Sequence, residues 1–398
     1  MTTDGWRRAL VFGAGKSGTA AAALLRRDGA EVRVLDGDDE YPGGAWDVAV
    51  ASPGVPLAHP WQVAARAAGV PVISELELGA RRFAGKMLAV TGSKGKSSVV
   101  KLVADGLNAA GVSAVACGNY GTPLCEVAMA DPQPEWAVVE VSSFQMETTH
   151  PESFRPVAAA ILNLQEDHLD RHGSLEAYHA LKRKMLAGAA RAVGAAGEWD
   201  ECLAGSYFDN DVLRANGEVA AALMDAAGLS REMIARAFAA FEPLPHRMQK
   251  VAETKGVSYI DDSKATSLAA LAAGVRMAQA GRNAPSVRLI AGGLPKGDNP
   301  NSVITDLLSA VKKVYLIGRC AEQFSEAWRG AVPCEVCGTL GRAVGSARRD
   351  ARSGESVLLS PGAASFDQFE SYGARGDAFA SFVRAEAAGG GAETNKQG

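Results

Sequence analysis

The residues Thr91-Gly92-Ser93-Lys94-Gly95-Lys96-Ser97-Ser98 form the densest phosphate-type motif in the chain. They lie between a strand-like apolar run and a helical stretch, so backbone N–H groups and a helix N-terminus would face an anion. Lys96 would then meet the terminal phosphates and Ser97 a magnesium ion. The motif is not a strict Walker A, because Val90 stands five positions before Gly95. An earlier turn, Gly13-x-Gly15-x-x-Gly18, opens a helix and is followed by Asp36 at the end of the next strand. That arrangement holds a pyrophosphate on a helix terminus with a carboxylate near a ribose hydroxyl, and taken alone it suggests NAD. The next phosphate-type loop follows too soon for two mononucleotide halves, so a half-sized nucleotide site is expected. The plainer alternative is glycine used only for close strand–helix packing.

Glu140-Val141-Ser142-Ser143-Phe144-Gln145 closes an apolar strand, where a parallel sheet presents side chains to its carboxyl-end crevice, and Glu140 could ligate the magnesium of the phosphate loop. Asn163 to His172, NLQEDHLDRH, closes another strand with many ligand-type side chains. His168 and His172 are four apart, as in a helical zinc pair, but the Glu of H-E-x-x-H is missing and zinc is not expected. Lys182, Arg183 and Lys184 read as a solvated helix face. Further on, Pro245-His246-Arg247, Asp261-Asp262-Ser263-Lys264-Ala265-Thr266 and the segment Ser360 to Phe369 each sit at an element end, where charges and small residues admit a ligand. Cys334 and Cys337 form a C-x-x-C without a second pair, and read as thiols on a strand edge.

The elements that must carry these residues alternate short apolar strands with Ala-rich helices, the rhythm of parallel α/β sheets. Strands are expected at 9–12, 31–35, 46–51, 112–116, 136–141 and 157–162, with a helix at 174–187. After Pro243 and Pro245, which read as a linker, a third cycle of strands ends in a helix at 366–386. The 398 residues suggest two to four domains. The 41 Lys and Arg against 45 Asp and Glu, without long runs of one sign, leave no footprint for nucleic acid or an anionic membrane. No signal peptide or run of eighteen apolar residues is present, so a soluble, cytoplasmic chain that binds small molecules is expected. The six cysteines are scattered and are expected to stay reduced.

Taken in order, EVSSFQME, NLQEDHLDRH, LPHRMQ, DDSKATS and LLSPGAASFDQF make the chain resemble the Mur ligase family from residue 8 to about 386, and most closely its D-glutamate-adding type. The resemblance implies an α/β chain of three domains. These are a UDP-binding Rossmann-like domain at 1–84, a shortened central P-loop ATPase domain at 85–243 and a C-terminal Rossmann-like domain for the amino acid at 244–388. Residues 389–398 are expected to be a disordered tail. It implies an ATP-dependent ligase that makes an acyl phosphate of UDP-N-acetylmuramoyl-L-alanine and couples it to D-glutamate, working as a monomer.

By the same resemblance, Lys96, Glu140, His168 and Lys182 would be the catalytic set. ATP would be held by Gly92, Ser93, Lys94, Gly95, Lys96, Ser97, Ser98, Asn216, Arg247, Asp262 and Lys264. Two Mg²⁺ ions would be held by Ser97, Glu140, His168 and Lys182, the last as a CO₂-derived carbamate. The UDP substrate would meet Ser17, Asp36, Ser52, Gly54, Asn119, Ser142, Gln145 and His168. D-Glutamate would meet Lys264, Thr266, Lys296, Ser365 and Tyr372, whose cations and hydroxyls suit two carboxylates. The chain departs from the family where Lys94 and Ser267 replace Asn, Tyr372 replaces Phe, and Val212-Leu213 replace His-Asn in a stretch lacking several strands. Two other readings are a nicotinamide-dependent oxidoreductase and a catalytically weak relative that binds UDP-sugar without turnover.

Overall fold

The alternation of apolar strands and Ala-rich helices builds three sheets in the computed structural model, whose described residues are 4–165 and 168–389. The first sheet is parallel, β1 (Arg8–Phe12), β2 (Glu31–Leu35), β3 (Val48–Ala51) and β4 (Val72–Ser74), in the order β2-β1-β3-β4. It carries helices α1 (Lys16–Arg27), α2 (Pro60–Ala67) and α3 (Glu75–Ala80). Four strands make half of a doubly wound dinucleotide fold, as the short spacing between the two Gly-rich turns requires.

The second sheet has the order β6-β7-β5-β8-β9 and is also parallel: β5 (Lys86–Thr91), β6 (Ala114–Gly118), β7 (Trp136–Glu140), β8 (Ala158–Ile161) and β9 (Arg191–Val193). The helices between these strands are α4 (Lys96–Ala109), α5 (Leu124–Val127), α6 (Ser143–Met146), α7 (Leu169–His172) and α8 (Leu175–Ala187). α9 (Asp200–Leu203), α10 (Arg214–Ala226) and α11 (Arg231–Ala239) follow. Central β5 delivers the phosphate-type turn with β7 on one side and β8 on the other, so the chain reverses direction across the sheet at that turn. Open α/β sheets bind ligands at such a switch point.

These two sheets lie in one compact unit that ends at Phe241. Val11, Ala21, Leu24 and Val50 of the first share a buried core with Ala89, Ala137, Val139 and Ala159 of the second. Leu76 and Leu78 of α3 meet Leu124 and Cys125 of α5 in the same core. Gly79 permits this approach, since a Cβ there would stand 2.7 Å from the Leu124 carbonyl carbon.

A second unit begins at Glu242, beside Pro243 and Pro245. Its sheet runs β10-β11-β15-β12-β13-β14: β10 (Gln249–Thr254), β11 (Val257–Asp261), β12 (Val287–Gly292), β13 (Val311–Ile317), β14 (Cys334–Gly338) and β15 (Ser356–Leu359). Only β10 is antiparallel, and α12 (Leu268–Gln279), α13 (Ile304–Ala310), α14 (Ala321–Trp328), α15 (Leu340–Asp350) and α16 (Tyr372–Gly389) connect or flank the strands. Cys334 and Cys337 lie on β14 at the sheet edge.

One expectation needs adjustment, and β4, β9 and β10 arise where the sequence pattern marks no strand. The last helix starts at Tyr372 and not at 366, because residues 365–371 form a turn. Phe369 N donates to Ser365 O, Asp367 accepts from Arg319 N, and Ser371 Oγ accepts from Ala374 N. Between α8 and α10, the stretch read as shortened contains only the three-residue β9 and the four-residue α9. Glu166, Asp167 and the expected tail beyond Gly389 lie outside the described residues. Among the described residues, no helix is long and apolar enough to cross a membrane.

Glu75, the first residue of α3, is buried where the two sheets of the first unit share their core. Its Oε1 accepts from Cys125 N at 2.7 Å, and its Oε2 has no hydrogen-bond partner. Burial pushes its carboxyl from the usual 4.5 to about 7. The folded chain therefore binds a proton that the unfolded chain releases between those values. Its stabilising effect is complete below about 4.5 and is lost as pH rises through about 7, at about 1.4 kcal/mol per unit. Urea unfolding at pH 5 and pH 8 should show wild type losing about 2–3 kcal/mol more than Glu75→Gln over that interval. Equal losses would mean that Glu75 is ionised throughout.

Candidate active site

The turn after β5 is shaped by glycine and stitched to its neighbours. Gly92 (φ 145°) and Gly95 (φ 86°) occupy the left-handed region, and Gly95 caps α4. A Cβ on Gly95 would collide with the Asn216 amide, so Asn216, expected on the nucleotide side, lies directly against the turn. Asn163 Nδ2 donates to Lys94 O and its Oδ1 accepts from Lys94 N, each at 2.9 Å, while Ser93 N donates to Asn163 O. Buried Thr91 Oγ1 donates to Val141 O at 2.7 Å. Lys96 Nζ donates to Gly92 O at 2.8 Å and to Ser93 O at 3.2 Å. Ser97 and Ser98 follow in the first turn of α4, where a helix dipole favours an anion.

Glu140 ends β7 beside this turn and is buried. Asn119 Nδ2 donates to its Oε1 at 2.6 Å, whereas its Oε2 is buried without a hydrogen-bond partner. A buried, unpartnered carboxylate oxygen is costly unless a cation meets it. Among the described residues no cluster of three or more His, Cys, Asp or Glu forms an all-protein metal cage. Mg²⁺ usually takes one or two carboxylates together with substrate phosphates, so Glu140 and Ser97 fit that ion. Ser142 and Gln145 form a capping box at α6: Ser142 N and Oγ both donate to Gln145 Oε1, and Ser142 Oγ accepts from Gln145 N. Gln145 is thereby committed to shaping the loop.

Lys182 overturns its reading as part of a solvated face. It is only 1% exposed on α8, donates to Gly92 O at 3.0 Å and lies 4.4 Å over the Tyr178 ring. Arg183 is exposed, and Lys184 is half-buried with Nζ donating to Met146 O. The helix turns one of three consecutive cations inward because Tyr178, four residues earlier, anchors that face: its hydroxyl is 3.0 Å from Ser93 Oγ. Tyr178 escaped the sequence reading because a core aromatic carries no spacing signal of its own, and the sequence marks Asn163 only as the first residue of NLQEDHLDRH, without its role in holding the turn.

His168 adopts φ 54°, a left-handed conformation uncommon for a residue with a side chain and typical of functional turns. Its ring packs against Phe144 and Tyr178. His172 Nε2 bonds Ser143 Oγ at 3.0 Å and its Nδ1 lies 3.4 Å from Glu147, so both of its ring nitrogens are engaged within the protein.

At the first Gly-rich turn, Asp36 Oδ1 accepts from Ala14 N at 3.0 Å and Ser52 Oγ donates to Gly13 O at 3.2 Å. Ser17 lies in the first turn of α1, and Gly54 follows β3. Lys16 Nζ donates to Gly121 O at 2.6 Å, which ties this turn to the loop carrying Asn119.

In the second unit the segments after β11, β15 and β12, three adjacent strands, bring the remaining candidates to one end of the sheet. Lys264 Nζ lies 4.0 Å over the Tyr372 ring, Lys296 Nζ donates to Thr266 Oγ1 at 3.2 Å, and Ser365 is buried. Asp262 accepts from Ser360 Oγ and Met248 N, and burial raises its carboxyl to about 7. His246 (φ 60°) and Met248 (φ 47°) flank Arg247, both left-handed. Sequence reading missed Arg375, which is 1% exposed and donates to Ser263 Oγ, Ser263 O, Ala363 O and Ala364 O. Nothing in its place near the start of a small-residue-rich helix distinguishes it from a surface arginine.

Residues 90–196 match the Mur ligase middle domain, 246–362 the Mur ligase glutamate ligase domain and 11–71 an NAD(P)-binding Rossmann-like domain. UDP-N-acetylmuramoylalanine–D-glutamate ligase of Nitratidesulfovibrio vulgaris is 36% identical, covering 94% of this chain and 95% of its own. The enzyme of that name from Frankia casuarinae is 37% identical, over 94% and 93%. These alignments run to 420 and 448 residues, longer than this 398-residue chain, so both relatives carry residues that it lacks. Among solved structures, UDP-N-acetylmuramate-alanine ligase from Thermotoga maritima has a TM-score of 0.60 at 17% identity, covering 96% of this chain and all of its own. A ligase named MurF from the same organism, in complex with ADP, has a TM-score of 0.60 at 14% identity, over 98% and 97%. These two share its fold. With relatives above 30% identity along nearly its whole length, the chain belongs to the Mur ligase family, alongside the UDP-N-acetylmuramoylalanine–D-glutamate ligases.

Proposed function

We infer that the chain is an ATP-dependent ligase of peptidoglycan precursor synthesis that joins D-glutamate to UDP-N-acetylmuramoyl-L-alanine. The observation that carries this reading is the burial of Lys182 against the Gly92 carbonyl, on the turn that also holds Lys96. Relatives of that name along nearly the whole chain supply the substrate class. In this reading residues 1–84 bind UDP, 85–243 bind ATP and 244–388 bind the amino acid, in a monomeric, cytoplasmic enzyme.

ATP gives its γ-phosphoryl group to the substrate carboxylate, and the D-glutamate amine then attacks the acyl carbon and expels phosphate. Such chemistry needs positioning and charge neutralisation more than a covalent nucleophile. The turn from Gly92 to Ser98 holds the phosphates through its N–H groups, with Lys96 at their terminal oxygens. Two Mg²⁺ ions, when bound, would neutralise charge on the phosphates and on the substrate carboxylate. Ser97 and Glu140 would hold one, and His168 and Lys182 the other. Lys182 suits that role as a carbamate, which replaces its ammonium with carboxylate oxygens. Ser17, Asp36, Ser52, Gly54 and Asn119 bind the UDP substrate, with Ser142 and Gln145 shaping the muramoyl-alanine loop. Lys264, Thr266, Lys296, Ser365 and Tyr372 take D-glutamate, and Asn216, Arg247 and Asp262 serve ATP.

Phosphate release from ATP should require both UDP-N-acetylmuramoyl-L-alanine and D-glutamate, and D-glutamate should outperform L-glutamate and meso-diaminopimelate. Binding of the UDP substrate without turnover would favour the weak relative instead, and equal rates with meso-diaminopimelate would refute the amino-acid assignment. Lys182→Ala should lower kcat by roughly a thousandfold, the scale of a lost transition-state contact, with partial recovery in acetate or formate. Arg183→Ala should stay within about twofold of wild type, as expected of an exposed side chain. Near-normal activity of Lys182→Ala would remove the carbamate role.

A further inference from the structure

We propose that Arg171 is a positioning residue that couples the seat of the UDP group to the loop carrying His168. The proposal rests on the ligase reading above and adds a residue to it. Arg171 lies in the single turn of α7, and its backbone N donates to His168 O at 3.1 Å. Its guanidinium grips Glu147 with both carboxylate oxygens, Nη2 to Oε2 at 2.6 Å and Nε to Oε1 at 3.1 Å. The same Nη2 donates to Pro53 O and Val55 O, each at 3.3 Å. Its cationic carbon stands 4.9 Å from the centre of the Phe144 ring. The side chain is 15% exposed and that of Glu147 only 6%, so water replaces little of this network.

These acceptors belong to separate parts of the first unit. Pro53 and Val55 follow Ser52, whose hydroxyl closes on Gly13 of the first Gly-rich turn. Phe144 lies within the Ser142–Gln145 capping box, and Glu147 follows it. His168 starts the turn that Arg171 completes, and its ring packs on the same Phe144. The guanidinium thus joins the loop assigned to UDP to the loop assigned to muramoyl-alanine, and the Arg171 backbone N ties both to the turn that starts at His168. A lysine cannot reproduce this, because its single ammonium lacks the fork that grips a carboxylate and two carbonyls at once. The side chain of Arg171 bonds residues assigned to neither ATP nor metal, so it acts through the three segments it holds.

The test measures UDP binding by calorimetry, and kcat and KM for each substrate, in wild type, Arg171→Met, Arg171→Lys and Glu147→Gln. Arg171→Met should weaken UDP and raise KM for the UDP substrate by roughly tenfold, and lower kcat by a similar factor. KM for ATP should stay within about twofold, since Asn163 and Lys96 hold the phosphate turn independently. Arg171→Lys should fold like wild type and recover only part of the loss, while Glu147→Gln should reproduce much of the Met phenotype. Unchanged UDP affinity and KM in a folded Arg171→Met or Arg171→Lys protein would overturn the proposal. So would full recovery by lysine, or an equal rise in KM for ATP. A wild-type protein that binds neither UDP nor its sugar conjugate would instead overturn the functional reading on which the proposal rests.

Discussion

Two lysines from different helices donate to one peptide oxygen: Lys96 of α4 and Lys182 of α8 both reach Gly92 O. That convergence depends on Gly92, whose φ of 145° is open to glycine and strained for other residues. It depends also on Asn163, which bonds Lys94 through both ends of its amide, and on Tyr178, which pairs with Ser93 beneath Lys182. The turn is therefore held from three directions before any ligand arrives. Preorganisation of this kind makes electrostatic stabilisation effective, because the donors need not reorganise during the reaction.

The frame around the turn is set by how the first two sheets share a core. Ala-rich α1 and short α3 each send leucines into this core, and Gly79 lets α3 meet α5 closely. Polar contacts follow the same seam: Lys16 reaches Gly121 O, His150 meets Glu77, and Arg171 joins Pro53 to Glu147. The first nucleotide-type turn and the phosphate turn consequently belong to one compact unit, and the loops between them are tied at both ends.

The second unit solves a similar problem with a buried cation. Arg375 sends its guanidinium to the carbonyls of Ser263, Ala363 and Ala364, joining the loops after β11 and β15. Burial away from water lowers its tendency to hold a proton, to about 10, and the guanidinium remains charged at neutral pH. Lys264 and Tyr372 then meet across the same loops.

Most of the parallel strands, the two Gly-rich turns and the family were legible in the amino-acid sequence, whereas the edge strands β4, β9 and β10 were not, since each is short or polar and carries no strong apolar run. Periodicity, glycine placement and contiguous motifs are local properties, and each strand end that carries chemistry is marked by the residues just beyond it. The turn from Thr91 to Ser98 and the strand ending in Glu140 stand where that local pattern puts them. Burial of an individual side chain is not local. Lys182, Arg183 and Lys184 are indistinguishable in composition, and only the packing of α8 on the phosphate turn selects Lys182 for the interior. The same holds for Asn163, Tyr178, Arg171 and Arg375, whose partners lie up to 118 residues away in the chain. The final helix begins at Tyr372 because Asp367 bonds the distant Arg319 amide, a contact that sequence spacing does not encode. Local patterns chose the elements, and long-range hydrogen bonding and burial decided which of their polar residues face one another.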